Sequence, residues 1–318
     1  MGQSATDLSI KSLLKIQLLM LIFTGCDSAT EPTPAEVEAM AAIEAEAIVA
    51  IESLGGEFKS NNTTLDLRQT RITDAGLEYL KGLTNLSELY LFQTPITDAG
   101  LEHLQGLTSL TLLDLGRTQI TDAGLEHLKG LTNLEKLLFY ETPITDAGLE
   151  HLKELTSLHG LYLGNMPITD MGLEHLKGLT SLEWLSLKNT QITDAGLEHL
   201  KGLTGLYYLH LNNTQISDAG LVHLKGLTSL SNLDLFETRI TDAGLEYLKG
   251  LTGLTQLILS GTQVTDAGLE ELRAALPECS VDSWIITSWS KDGYEHTYKD
   301  GQVVGPDLEW DEDGELLD

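Results

Sequence analysis

The sequence predicts an α/β solenoid, with short strands stacked along one side and short helices along the other. Three observations carry that expectation. The stretch "ITDAGLEHLKGLTNL", Ile120 to Leu134, recurs in close copies that open at Thr73, Thr97, Thr121, Thr145, Thr169, Thr193, Ser217, Thr241 and Thr265, always 24 residues apart. A fixed period of that size means stacked units that count as one elongated domain. Before each copy, leucines alternate with polar or aromatic residues, as at Leu89 and Leu91, Leu113 and Leu115, Leu185 and Leu187. That is the pattern of a half-buried strand. Within the copies, Asp122 at the start and Lys129 at the end complement a helix macrodipole, with Gly130 placed as a left-handed C′ residue.

Taken in chain order, the first 26 residues stand apart. Lys11 and Lys15 precede an apolar run, Ile16 to Phe23, that ends in Thr24-Gly25-Cys26. A basic start and a short apolar run read as a secretory signal, too short to span a bilayer. Its end resembles a bacterial lipobox, which implies cleavage before Cys26, lipidation of Cys26 and a membrane anchor at the cell envelope. Residues 27–35, "DSATEPTPA", read as a tether. Residues 36–63 read as an N-terminal cap. An Ala- and Glu-rich helix is stopped by Gly55-Gly56, and two short strands follow around Asn61-Asn62.

Residues 64–282 hold the repeats, of the form LxxLxxLxLxxTxITDAGLEHLKG. Here the chain resembles the leucine-rich-repeat family, in particular the cysteine-containing subclass and the tandem arrays of planctomycete-type bacterial proteins. The resemblance implies a curved horseshoe with a parallel sheet on the concave face and helices on the convex face. Ten strands can be placed between Leu65 and Val281, about 43 Å of inner face at ~4.8 Å per strand. The Thr column (Thr70, Thr94, Thr118, Thr142, Thr190, Thr214, Thr238, Thr262) stands where many members of the family carry Asn. Its hydroxyls are placed to satisfy backbone groups in the turn. One repeat departs twice, with Met166 in the Thr column and Met171 after Asp170, and the two thioethers are expected to fill one gap together. After Asp282, residues 283–318 read as a hairpin-rich acidic cap, with Asp-Gly pairs at 292–293, 300–301 and 313–314 as turn signals.

Charge and motifs narrow the function. A net charge of −29 argues against nucleic acid, which needs clustered Lys and Arg. The two cysteines, Cys26 and Cys279, lie at opposite ends and argue against a disulfide framework. No HExxH, Walker loop or GxSxG is present, so no enzymatic activity and no cofactor are expected. The histidine column (His103, His127, His151, His175, His199, His223) falls on the splayed convex side, too far apart to share a metal ion. These histidines are expected beside the Glu of the next repeat.

The concave strand positions are where the repeats differ. Seven of the 18 aromatic residues (4 Trp, 9 Tyr and 5 Phe) fall there: Tyr90, Phe92, Tyr140, Tyr162, Trp184, Tyr208 and Phe236. Basic residues join them at Arg68, Arg117, Lys136 and Lys188, with His210 in the same row. Tyr, Trp and Arg dominate binding hot spots because they carry large area at low entropy cost. The expectation is a non-enzymatic scaffold binding a protein or peptide there, centred on Tyr140, Tyr162, Trp184, Tyr208 and His210. A structural aromatic ladder would use the same residue types. Three other readings stay open: a glycan or envelope-polymer binder, a cytosolic F-box-like substrate adaptor, and a structural spacer without a partner.

Overall fold

The computed structural model describes residues 34–282 and, beyond them, three strands at Ile286–Trp289, Glu295–Lys299 and Gln302–Val303. The signal-like stretch with Cys26, the tether up to residue 33 and the tail after Val303 lie outside the described residues.

The capping helix α1 spans Pro34–Ser53. Gly55 ends it with φ at 93°, a left-handed conformation that glycine adopts without strain. Strand β1 (Glu57–Lys59) then turns through Ser60–Asn62 into β2 (Thr64–Asp66), and the two pair antiparallel. From β2 the sheet continues in parallel, one strand per repeat: β3 (Glu88–Tyr90), β4 (Leu112–Asp114), β5 (Lys136–Leu138), β6 (Gly160–Tyr162), β7 (Trp184–Ser186), β8 (Tyr208–His210), β9 (Asn232–Asp234), β10 (Gln256–Ile258) and β11 (Ser280–Asp282). The eleven strands form one open sheet in sequence order. The register is a strict 24-residue step, so Leu89, Leu113, Leu137, Leu161, Leu185 and Leu209 line up across it. These leucines are fully buried and form the spine of a single core running from Ala47 to Val281.

The convex segments are shorter than ordinary helices. Most repeats spend one α-turn, such as Asp146–Leu149, and then one 3-10 turn, such as Glu150–Leu152, while the last two carry α-helices, Asp242–Leu248 and Asp266–Ala275. The Ile120–Leu134 repeat has only the 3-10 turn, Gly124–Leu128. Leu125, Leu128 and Leu131 face inward as expected and are fully buried.

Two expectations about these segments are corrected. Gly130 is not left-handed, since the positive-φ glycines among the described residues are Gly55 and Gly261. The chain leaves the convex side through successive tight turns, with Leu131 N donating to Leu128 O at 2.9 Å, and needs no reversal at Gly130. The left-handed column lies instead just past each strand, at Gln69, Gln93, Arg117, Glu141, Asn165, Asn189, Asn213, Glu237 and Gly261. Met166 and Met171 also do not fill one gap. Met166 is 3% exposed in the core, whereas Met171 is 75% exposed on the convex side. Position 171 is that of the exposed Ala in the other copies, so its side chain faces solvent.

The Thr column behaves as the sequence implies. The hydroxyls of Thr70, Thr94, Thr118, Thr190, Thr214, Thr238 and Thr262 each donate to the carbonyl three residues back, at 2.5–2.8 Å. Thr142 differs, its buried hydroxyl having no partner among the described residues. Past the repeats, the three C-terminal strands pair antiparallel, with Asp292-Gly293 and Asp300-Gly301 falling between them.

Candidate binding face

Each repeat presents three alternating positions to the concave side, two in the strand and one just after it. In the first half of the sheet these side chains bury one another. Tyr90, Phe92, Leu112, Leu138 and Tyr140 form a second apolar cluster, each no more than 6% exposed, with Tyr162 packed at its edge. The rings of Phe92 and Tyr140 lie 5.6 Å apart at 39°. Gly116 makes this possible, because a Cβ there would come within 2.7 Å of the Tyr140 ring. The guanidinium of Arg68 lies 5.4 Å from the centre of Tyr90, and that of Arg117 lies 5.4 Å from Phe92. Arg117 also holds Glu141 of the next repeat at 2.7 Å.

In the second half the rings form an open run. Tyr162 stands 5.9 Å from Trp184, and Trp184 stacks on Tyr208 at 4.1 Å and 23°. His210 meets the edge of Trp184 at 6.4 Å. All four side chains are half-buried. Burial pushes the Tyr208 phenol above its ordinary range. The indole Nε1 of Trp184 is a buried donor with no partner among the described residues. An unmet donor of this kind costs about 1–3 kcal/mol, recovered by any ligand that supplies an acceptor.

The structure therefore divides the candidate residues. Tyr90, Phe92 and Tyr140 are packed within the face and offer little area to a partner. Lys188 is also buried, its stem lying across Gly164, where a Cβ would come within 2.8 Å of Lys188 Cγ. Tyr162, Trp184, Tyr208 and His210 are brought together in the open run, and Lys136 reaches its edge, its stem and the Tyr162 ring both lying beside Gly160. Arg117 belongs to the packed half, over Phe92 and on Glu141, and Phe236 joins neither ring group among the described residues. Tyr207 was not anticipated. It is 43% exposed and meets Tyr208 edge-on at 4.7 Å. It precedes the strand, so the strand alternation gave no signal for it.

Carboxylates also play a part that alternation did not show. Asp66, Asp114 and Asp234 turn back to accept from the backbone N–H two residues on, at Arg68, Gly116 and Phe236, at 2.9–3.0 Å. Asp114 is completely buried, and that burial pushes its carboxyl up to about 7.

For His103, His175 and His223 an acidic neighbour across the repeat boundary is the Glu of the preceding repeat, the opposite sense to the one expected. Glu150 feels His175, and Glu198 feels His223, each in the following repeat. The nearer lysines dominate both carboxylates, through hydrogen bonds from Lys153 and Lys201 at 3.1 Å. Nδ1 of His103, His151, His175 and His199 is buried with no partner among the described residues. Among the described residues no three His, Cys, Asp or Glu side chains converge on one point.

Leucine-rich-repeat family models match residues 60–120, 180–226, 226–249 and 251–272. None of the curated proteins matches the sequence. Among solved structures, an internalin C2 of Listeria monocytogenes is 27% identical, with 74% of this chain and 91% of that one covered and a TM-score of 0.47. An internalin of the same organism designated F is 23% identical over 86% of this chain and 94% of its own, with a TM-score of 0.38. A leucine-rich-repeat protein of Leptospira interrogans is 17% identical, covering 64% and 74%, at 0.39. The chain is a leucine-rich-repeat solenoid, with an open, mostly parallel sheet on one side and short helical turns on the other. It is a scaffold of the kind typical of protein–protein binding.

Proposed function

We propose that the chain is a non-enzymatic binding protein that takes a protein or peptide on its concave face, over the run Tyr162, Trp184, Tyr208 and His210. One observation carries this reading: a half-buried stack of rings, Trp184 on Tyr208 at 4.1 Å, holds an indole N–H without a partner among the described residues. Aromatic rings held rigidly by their neighbours keep their area without loss of rotamer freedom on binding, which is what hot-spot residues require. The close-packed half of the face supports this run from the side and is a platform, not a contact surface.

The reading extends to the cell envelope. Lys11, Lys15, the run to Phe23 and Cys26 support export and lipidation, with a lipid on Cys26 as the only contact with the membrane. Incorporation of labelled palmitate, abolished by Cys26→Ser, is the expected outcome. An unlabelled protein would place the chain elsewhere.

The binding test compares the full chain with its Trp184→Ala/Tyr208→Ala variant in pull-downs from envelope extract, after circular dichroism shows both folded. A partner retained by the parent and lost by the variant supports the face. Identical partners on both would move the search to the convex side.

A further inference from the structure

The concave face is not electrically uniform. Across β5 to β8 its positions carry Lys136, Lys188 and His210, and no Asp or Glu, in a chain whose net charge is −29. Carboxylates return on either side, with Asp114 on β4 and Asp234 on β9. The cationic window coincides with the ring run, since Trp184 and Lys188 lie on one strand and the segment that leaves it. Lys188 is 4% exposed, so its charge is screened far less by water than that of a surface lysine. Such a window selects an extended anionic segment with apolar side chains for the rings.

The chain carries one. Its last twelve residues, "DLEWDEDGELLD" (307–318), hold seven acidic groups, Trp310, three leucines and no basic residue. They lie outside the described residues. From Asp282 at the sheet edge to Lys136 is six strand spacings, about 29 Å. Residues 286–303 pair as three strands, so the reach comes from the 15 residues after Val303, which span roughly 50 Å if extended, more than the distance required.

We infer that the acidic C-terminal segment, residues 307–318, occupies the cationic aromatic window of β5 to β8 in cis and competes there with the external partner. This rests on the reading of the concave face as the binding surface. The external ligand is then a segment of the same chemistry, acidic with Trp or Leu anchors, and it binds by displacing the tail.

A glutamyl-specific protease tests this on the full chain, with cleavage after Glu309, Glu312 and Glu315 followed by mass spectrometry at low salt. The parent tail is expected to be cut at least five-fold more slowly than that of Lys136→Glu/Lys188→Glu. Adding Asp311→Lys/Asp313→Lys to that variant restores protection. Because reversing Lys188 can unfold the repeat, a second variant changes only the tail, Asp311→Asn/Asp313→Asn, and is expected to be cut faster at Glu309 and Glu315 on an unchanged solenoid. Cleavage within two-fold for the parent and the tail variant overturns the proposal. Protection that disappears on dilution also overturns it, by assigning the tail to a second copy. If protection is absent while Trp184→Ala/Tyr208→Ala still loses its partner, only self-occupancy falls and the concave-face reading stands.

Discussion

The carboxylate of Asp122 reaches into the next repeat, where Oδ1 accepts from the Thr145 backbone N–H and Oδ2 from its hydroxyl, both at 2.7 Å. The same rung recurs from Asp74–Thr97 to Asp242–Thr265, with Ser217 taking the place of Thr opposite Asp194. The Thr–Asp pair of each copy is therefore a junction between repeats, each Asp serving the following Thr. This gives a physical reason for that stretch to recur while the concave strands vary.

Removing one rung should weaken the stack. Asp122→Ala is expected to cost about 1–2 kcal/mol in urea unfolding, the value of a charge-assisted hydrogen bond lost at a half-exposed site. Glu126→Ala, which ends only an exposed pair with Lys129 at 3.7 Å, should cost no more than about 0.5 kcal/mol. The ladder also has an acid limit. Hydrogen bonds from Thr265 hold the Asp242 carboxyl below its usual range, so that rung's contribution is present above the unfolded value and lost as pH falls through the folded one.

Two glycines of one repeat period should respond with opposite signs. A Cβ on Gly148 would come within 2.4 Å of Asp122 Oδ1 and would push the rung aside, so Gly148→Ala should cost about 1–3 kcal/mol. A Cβ on Gly130 would meet nothing within 4 Å, and its φ is not positive. Gly130→Ala should then stabilise by about 0.4–1 kcal/mol, by restricting the unfolded chain. Thermal melts of the two variants beside the parent check both.

Asp114 should make stability fall with rising pH. Its folded value of about 7 lies above the model-compound value of 3.8, so the native state binds the extra proton between them. Stability is full below the lower value and declines until pH passes the upper, by a ceiling of about 4 kcal/mol. Asp114→Asn keeps the acceptor for Gly116 N–H and has no charge to bury. The variant is expected to be more stable than the parent at pH 8 and to lose that advantage at pH 4. Equal stability at both would mean that the carboxylate is solvated.

The left-handed column offers a fourth check. Gln93 is exposed with φ at 55°, a conformation that costs most side chains about 1 kcal/mol and Asn less. Asn already occupies the equivalent positions 165, 189 and 213. Gln93→Asn is expected to raise the melting temperature, and a fall would show that the Gln side chain contributes a contact of its own.

Much of this was determined by the sequence alone. The 24-residue period set the number of units, the leucine alternation set which side of each strand is buried, and the Thr column announced a hydroxyl that closes its own turn. Asn61-Asn62 marked the antiparallel cap. Those features are local, or repeat at one fixed interval, so a pattern in one dimension suffices to read them. Tertiary structure decided the rest. Alternation put Tyr140 and Trp184 on the same face, but only stacking of the repeats placed Tyr140 over Gly116, out of reach, and left Trp184 on Tyr208 with an unmet N–H. The same stacking turned Asp122 from a helix-start charge into the acceptor for Thr145, and sent Met166 and Met171 to opposite environments. Periodicity fixes the direction of a side chain, whereas burial depends on the volume of the neighbour one strand away, and that neighbour is what varies from repeat to repeat.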